Sequence, residues 1–338
     1  MAFQPARRRT LIWLAAAGAS GLALHPGVRS FASDVDAFVR GPAVDDIETR
    51  QLTEHVHIIE SPDVFVNARN RGMMVNVTFV LTDDGVVVID SGSSVQIGEM
   101  AIRMLRRITA HPVIAIFVTH HHGDHWLGNH AFVEAFGEDL PIYAHPYARE
   151  AIEGVQGRQW ASLMERWTEG ATLGTRIFAP NRSCQHGDEF RFGDVTLRVH
   201  HHGIAHTPGD CCFEIVEDRV THLGDVAMDR RIANMNDGSF AGSIKTLRAV
   251  ADETQSELWI PGHGTPSATV LRWNLELFEA FHENAKVVAE SFGTAEELEE
   301  RLLIDPRVAD KIPETRGWAS NFGRYASLAL LEAEQDLF

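Results

Sequence analysis

Lysine is nearly absent. The 338-residue chain has three, Lys245, Lys286 and Lys311, which argues against a lysine general base or Schiff-base lysine. Basic residues are scarce as a whole: 30 Lys+Arg stand against 47 Asp+Glu, a formal net charge of −17. So acidic a chain is a poor nucleic-acid binder, because a polyanion is bound by basic groups that replace its counterions. It also offers no polybasic surface for anionic lipid. Cysteine is limited to Cys184, Cys211 and Cys212, an odd number that leaves at least one thiol unpaired. A strained Cys211–Cys212 bridge, a bridge from either to Cys184, and three small buried strand residues all stay open. Histidine, by contrast, occurs 18 times, and neutral imidazole is the commonest metal ligand. At 44% hydrophobic and 23% charged, the composition is that of a globular protein with ample core, not of a disordered chain.

Residues 1–32 contain no acid. Arg7-Arg8-Arg9 precedes Thr10-Leu11 and an apolar run to about Leu24, and Ser30-Phe31-Ala32 offers small residues for a signal peptidase. That order is the pattern of an export signal, too short for a comfortable membrane span. The paired arginines resemble a twin-arginine signal, which exports proteins already folded. The expectation is a periplasmic or secreted protein with no membrane segment in its mature form. An uncleaved anchor helix is the alternative. Removal of 1–32 takes away four arginines and no acid, deepening the net charge from −17 to −21.

Strand and helix patterns then alternate in two rounds. Strands are expected at 55–59, 75–81 and 86–90, with Asp83-Asp84-Gly85 turning the second into the third. The spacing of Ile97, Ala101, Met104 and Ile108 predicts a helix, and Val113–Val118 a buried strand. The stretch 146–180 reads as helical and rich in Trp and Met. Strands return at 195–199, 212–216, 220–223 and 257–260, with a helix near 243–251 between the last two. Helices follow through Leu271, Leu275 and Phe278, after the capping box Thr294–Glu297, and through Tyr325, Leu328 and Leu331. The pattern is α/β (α+β) without a low-complexity linker. We expect one two-sheet domain over 33–290, with a helical tail over 291–338 packed on it.

The chemistry concentrates in Thr119-His120-His121-His122-Gly123-Asp124-His125, which directly follows a buried strand. Alternate residues of an extended loop point the same way, so His120 and His122 can grip one ion while Asp124 and His125 project toward a second. Imidazole with carboxylate suits zinc. Downstream, His206, Asp225 and His263 each sit just past an apolar strand.

In this order these elements resemble the metallo-β-lactamase superfamily over roughly 55–267. The resemblance implies a four-layer αββα sandwich with two metals at one sheet edge. It implies that His120, His122 and His206 hold the first metal and that Asp124, His125 and His263 hold the second. Asp225 would bridge them, and Asp90 would brace the His loop. Two Zn²⁺ per chain are the expected cofactors, with iron or mixed metals as the variant. Such ions, about 3.5–4 Å apart, would share a hydroxide that attacks an ester, thioester, lactone or lactam carbonyl, or another acyl, phosphoryl or sulfuryl centre, with Asp124 as its catalytic orienting group. The charges of Asp124, Asp225 and the hydroxide nearly offset the two ions, so no concentrated attraction for anions is implied.

The expected partner is a small-molecule substrate. The stretch Val226–Arg231 lacks the basic, Gly-rich run of glutathione thioesterases, and Met228 stands where acyl-homoserine lactonases place Tyr. With its export signal, the His120–Asn129 motif and Asn234–Ser239, the chain is similar to periplasmic zinc hydrolases associated with quinoprotein and sulfur-oxidation systems. An iron-dependent redox or sulfur-oxidation protein, and a β-lactamase proper, are the alternative functions. Arg230, Arg231 and Asn234 follow Asp225 closely enough to line a pocket. The Trp160–Trp167 segment and the C-terminal helices are expected to shape that pocket or a dimer face, which leaves a homo-oligomer open.

Overall fold

The computed structural model describes residues 39–62, 65–232 and 235–337. The expected export segment and Asn234 lie outside them. Two sheets face each other. The first contains β1 (Arg50–Gln51), β2 (Val56–Ile59), β3 (Val77–Thr82), β4 (Gly85–Ile89), β5 (Val113–Phe117), β6 (Ile142–Ala144) and β7 (Arg182–Ser183), in that order. It is antiparallel up to β4 and parallel from β4 to β7. The second runs β12 (Leu258–Pro261), β11 (Val220–Gly224), β10 (Cys212–Ile215), β9 (Val195–His200), β8 (Glu189–Phe192). Among its pairs β11–β12 is parallel and the others antiparallel.

Strand β4 shows why the sandwich forms. Successive side chains of a strand face opposite ways. Val86 and Val88 join the core beneath helix α1 (Val95–Ile108), while Val87 and Ile89 join the core between the sheets. A strand covered on both faces is apolar throughout, and β4 is. Phe117 ties the sheets together: its ring stacks on Tyr143 at 4.7 Å and meets Phe213 of the opposite sheet edge-on at 5.3 Å. Helix α1 is capped by the Ser94 side chain and buries Ile97, Met100, Ala101, Met104 and Leu105.

Two short helices, α2 (Gly123–Trp126) and α3 (Asn129–Phe136), follow β5, and α4 (Pro146–Glu153) and α5 (Val155–Trp167) follow β6. Helices α6 (Phe240–Glu253), α7 (Val270–Glu290), α8 (Ala295–Leu302) and α9 (Trp318–Gln335) cover the second sheet. Helix α8 carries the expected Thr294–Glu297 capping box. Tyr325 of α9 packs against Phe240 and Phe281 at 5.4 and 5.5 Å between ring centres. The result is helices, sheet, sheet, helices, the expected four layers. Strands β1, β6 and β7 are not among the expected ones, because a two- or three-residue strand leaves no period in the sequence; the four-residue β8, with Phe190 and Phe192 alternating, was missed as well. All three cysteines are buried free thiols. Among the described residues no helix is long and apolar enough to cross a membrane.

Candidate metal centre

Strand β5 delivers the His loop to one edge of the sandwich. His120, His121 and His122 lead into α2, whose first turn carries Asp124 and His125. The loop is held by Asp90, which ends β4 at φ +55°. A left-handed backbone is strained for most residues but tolerated by Asp. Its Oδ1 accepts from the Thr119 backbone N–H at 2.9 Å, and its Oδ2 from Thr119 Oγ1 at 2.9 Å. His125 Nδ1 lies 2.7 Å from the same Oδ2. That is the bracing role the resemblance implies.

Two neighbouring donor sets result. His120, His122, His206 and Asp225 each place a donor atom within 4.8 Å of the others, and so do Asp124, His125 and His263. All seven residues named from the sequence are therefore brought together, and all are buried. Asp225 lies between the sets: its carboxylate is 3.6 Å from His206 Nε2, 3.4 Å from His125 Nε2 and 3.2 Å from His263 Nε2. Gly262 makes this possible, since a Cβ there would stand 2.1 Å from Asp225 Oδ1.

The donor chemistry fits divalent cations. His120 Nε2, His125 Nε2 and Asp225 Oδ1 are buried without a hydrogen-bond partner, and a buried polar atom is costly unless something satisfies it. Burial holds His120 well below the ordinary imidazole value and His206 at about 3. Despite its burial Asp225 is held well below the carboxylate range by His263 and His125. Neutral imidazole and ionised carboxylate are the forms that bind a cation; His125 and His263, raised despite their burial by the carboxylates of Asp124 and Asp225 beside them, would give up a proton to bind one.

One support was not read from the sequence. Asn76, fully buried in the approach to β3, donates from Nδ2 to the carbonyls of Pro261 and Gly264, both at 2.8 Å. It clamps the loop that presents His263, whose Nδ1 meets the Met74 carbonyl. The signal was there: a lone Asn inside Val75–Leu81.

The other histidines separate. His121 packs against Tyr147 and, beside His122, faces Asp237 rather than the two donor sets, and His222 is buried on β11. His201 stacks on His145 at 4.0 Å, and His200 and His202 face Glu253, outside the centre.

A cavity of about 410 Å³ opens above the two sets. Phe65, Trp160, Leu163 and Trp167 supply apolar walls, and Arg231 and Arg324 supply two cations. Arg231 is buried, its guanidinium 4.2 Å from the Phe65 ring centre. Arg230 instead points outward to Glu314. Arg324 and its neighbour Asn321 come from α9, one of the C-terminal helices expected to shape the pocket or a dimer face, although neither residue was singled out in the sequence. The pocket is thus more cationic than the ligand charges alone suggest.

A family model described as the metallo-beta-lactamase superfamily matches residues 70–279. The chain is 29% identical over 171 residues to a hydroxyacylglutathione hydrolase from Rhizobium etli, covering 49% of this chain and 53% of that one. It is 23% identical over 273 residues to a linear primary-alkylsulfatase from Pseudomonas sp., covering 69% and 51%. It spans about half the length of these curated relatives. Among solved structures, a metallo-beta-lactamase from Pontibacter korlensis superposes with TM-score 0.55 at 17% identity, over 69% of this chain and 98% of that one. A stereoselective inverting sec-alkylsulfatase from Pseudomonas sp. gives TM-score 0.66 at 14% identity, over 85% and 50%. At such identities the structures speak to the fold alone.

Proposed function

Because the chain belongs to the metallo-beta-lactamase superfamily, we propose that it is an exported, dinuclear, zinc-dependent hydrolase of small anionic esters, with alkyl sulfates as the first substrate class. The observation that carries the metal count is Asp225, placed between two donor sets. His120, His122 and His206 would hold one ion, Asp124, His125 and His263 the other, and Asp225 both. Bound there, two divalent ions supply an acidified water and a polarised substrate oxygen. Nitrogen donors with few carboxylates favour zinc, since magnesium and calcium prefer all-oxygen shells.

The chain's own residues do the rest. Asp124 lines the cavity, where its carboxylate, held far below the ordinary range despite its burial by His125 and His263, can orient the attacking water. Arg231 and Arg324 would orient an anionic head by charge-assisted hydrogen bonds. Phe65, Trp160 and Trp167 would take an apolar body and keep water from it. This combination moves the preferred electrophile from a carbonyl to a sulfate ester, as the curated relative from Pseudomonas sp. also suggests. Export rests on Arg7-Arg8-Arg9 and the apolar run behind them. N-terminal sequencing of periplasmic material should begin near residue 33.

The decisive experiment is a panel: a medium-chain primary alkyl sulfate, a glutathione thioester, a homoserine lactone and nitrocefin, with bound metal measured on the same samples. Sulfate release from the first, with zinc near two per chain, is the expected result. Turnover confined to the carbonyl substrates would refute the sulfate assignment. Iron with oxygen consumption would refute the hydrolase reading. His122→Ala should lose metal and turnover together, and full turnover without metal would overturn the proposal.

A further inference from the structure

A second histidine cluster stands apart from the centre. His186 lies in the turn before β8, His200 ends β9, His202 follows it, and Glu253 ends α6. One donor atom from each lies within 4.8 Å of the other three. A tetrahedral zinc site with bonds of about 2.05 Å has donor–donor edges of about 3.3 Å, so a small inward turn of exposed His186 and Glu253 would close this shell.

The hydrogen bonding is what makes the cluster unusual. His200 Nε2 is 3.0 Å from Glu214 Oε2, and Arg198 donates to that same oxygen at 3.0 Å. Burial pushes Glu214 up, yet the His200 hydrogen bond and the Arg198 charge hold it below the ordinary value. It is therefore ionised, and His200 must donate to it. Only a lone pair is then left on Nδ1 of the neutral ring, and Nδ1 faces Glu253 Oε2 at 3.2 Å. With that ring neutral, two acceptors confront each other. His202 Nε2 stands 3.3 Å from the same oxygen, buried and without a hydrogen bond. Burial, with His186 and His200 nearby, holds His202 below the ordinary imidazole value. A second proton on His200 would relieve one of these contacts. One divalent cation would relieve all of them, with Glu214 orienting His200 as carboxylates behind metal-bound histidines do.

We propose that His186, His200, His202 and Glu253 form a separate binding site for one late divalent transition ion of the Zn²⁺/Cu²⁺ class. Three imidazoles and one carboxylate are donors of that class rather than of Mg²⁺ or Ca²⁺. The ion would join the turn before β8, the end of β9 and the end of α6. His200 and His202 stand where β9 passes into the loop that carries His206, so the site would anchor one side of the main centre.

The test uses the tag-free full chain equilibrated with excess Zn²⁺ and freed of unbound metal by gel filtration. The His186→Ala, His202→Ala double variant should hold about one equivalent less zinc than the parent, and Glu253→Gln should bind that equivalent more weakly. His186 and Glu253 are exposed, so His186→Ala and Glu253→Gln should fold as the parent does, which circular dichroism verifies. Cu²⁺ added to the zinc-loaded parent should give an axial electron paramagnetic resonance spectrum with nitrogen couplings that His186→Ala weakens. His122→Ala, which strikes the main centre, should retain the outer equivalent. Equal zinc in parent and double variant, a copper spectrum indifferent to His186→Ala, or loss of every equivalent in His122→Ala would each overturn the proposal.

Discussion

Asp90→Asn tests whether the His loop is held from behind. The substitution keeps the shape of the side chain and, since Asn also tolerates the left-handed region, the φ of +55°. It removes the charge and turns one acceptor oxygen into a donor. Asp90 accepts from Thr119 N–H and Thr119 Oγ1, and pairs with His125 Nδ1. An amide cannot serve all three, and its NH₂ must face a donor. At about 1.5–3 kcal/mol per hydrogen bond to a charged group, losing one or two costs about 2–5 kcal/mol. Asp90→Ala adds backbone strain of about 1–2 kcal/mol. Zinc affinity should fall about 10–100-fold, the usual effect of removing a group that orients a ligand. Chemical denaturation in chelator reads the first effect, and competition against a chromophoric chelator reads the second. An Asp90→Asn protein within about 0.5 kcal/mol of the parent, with unchanged zinc affinity, would refute the reasoning.

Arg324→Ala, on the exposed side of α9, should leave metal content unchanged and lower kcat/KM for an anionic ester about 10–100-fold, the worth of one charge-assisted hydrogen bond. An equal loss on a neutral ester would refute anion recognition. Gly262→Ala should displace Asp225 and cost metal at both donor sets, which zinc analysis reads. Loss of a single equivalent would argue against the bridging role. His55 lies far from the centre, between Asp218 and Asp194. Burial lowers its pKa, but the Asp218 hydrogen bond and charge raise it by more, to a net value above 6.5. The folded state then holds the proton more tightly, so His55 contributes stability below pH 6.5 that is lost as pH rises through its folded value. His55→Gln should destabilise at pH 5.5 and matter less at pH 8.5. An equal deficit at both, by urea denaturation, would contradict the linkage.

Much of this was legible for physical reasons that differ by element. The seven candidate donors that the structure brings together were legible because metal chemistry restricts residue type and because strand ends place them in fixed order. Strands β4 and β5 were readable because burial on both faces leaves a run of apolar residues. Strands β1, β6 and β7 carry too few residues for a period, while β8 alternates over only four. Asn76 is a polar residue in a mostly apolar run, and its partners in the loop 261–264 and at Ser61 explain it. The outer cluster was half visible: His200, His201 and His202 stand together in the sequence, but alternation sends the middle one to His145, and the fourth donor is supplied by the end of α6, fifty residues on.

The electrostatics of the pocket were the least legible part, and the reason bears on substrate. Counting ligand charges gives a nearly neutral centre in a chain of net charge −17. That count leaves out cations brought by distant elements. Arg231 follows Asp225 by six residues, but Arg324 arrives on α9 only because Phe240, Phe281 and Tyr325 pack that helix across the second sheet. Net charge acts over the whole surface and is screened within about 8 Å at physiological salt. A cation lining a half-enclosed cavity acts at contact distance, where screening is weak. The acidic exterior would therefore slow the approach of an anion without preventing its capture. Such a balance predicts that added salt raises the association rate for an anionic ester by screening the exterior. A surface that attracted the anion would show the opposite, a rate falling with salt, and stopped-flow association at rising ionic strength separates the two.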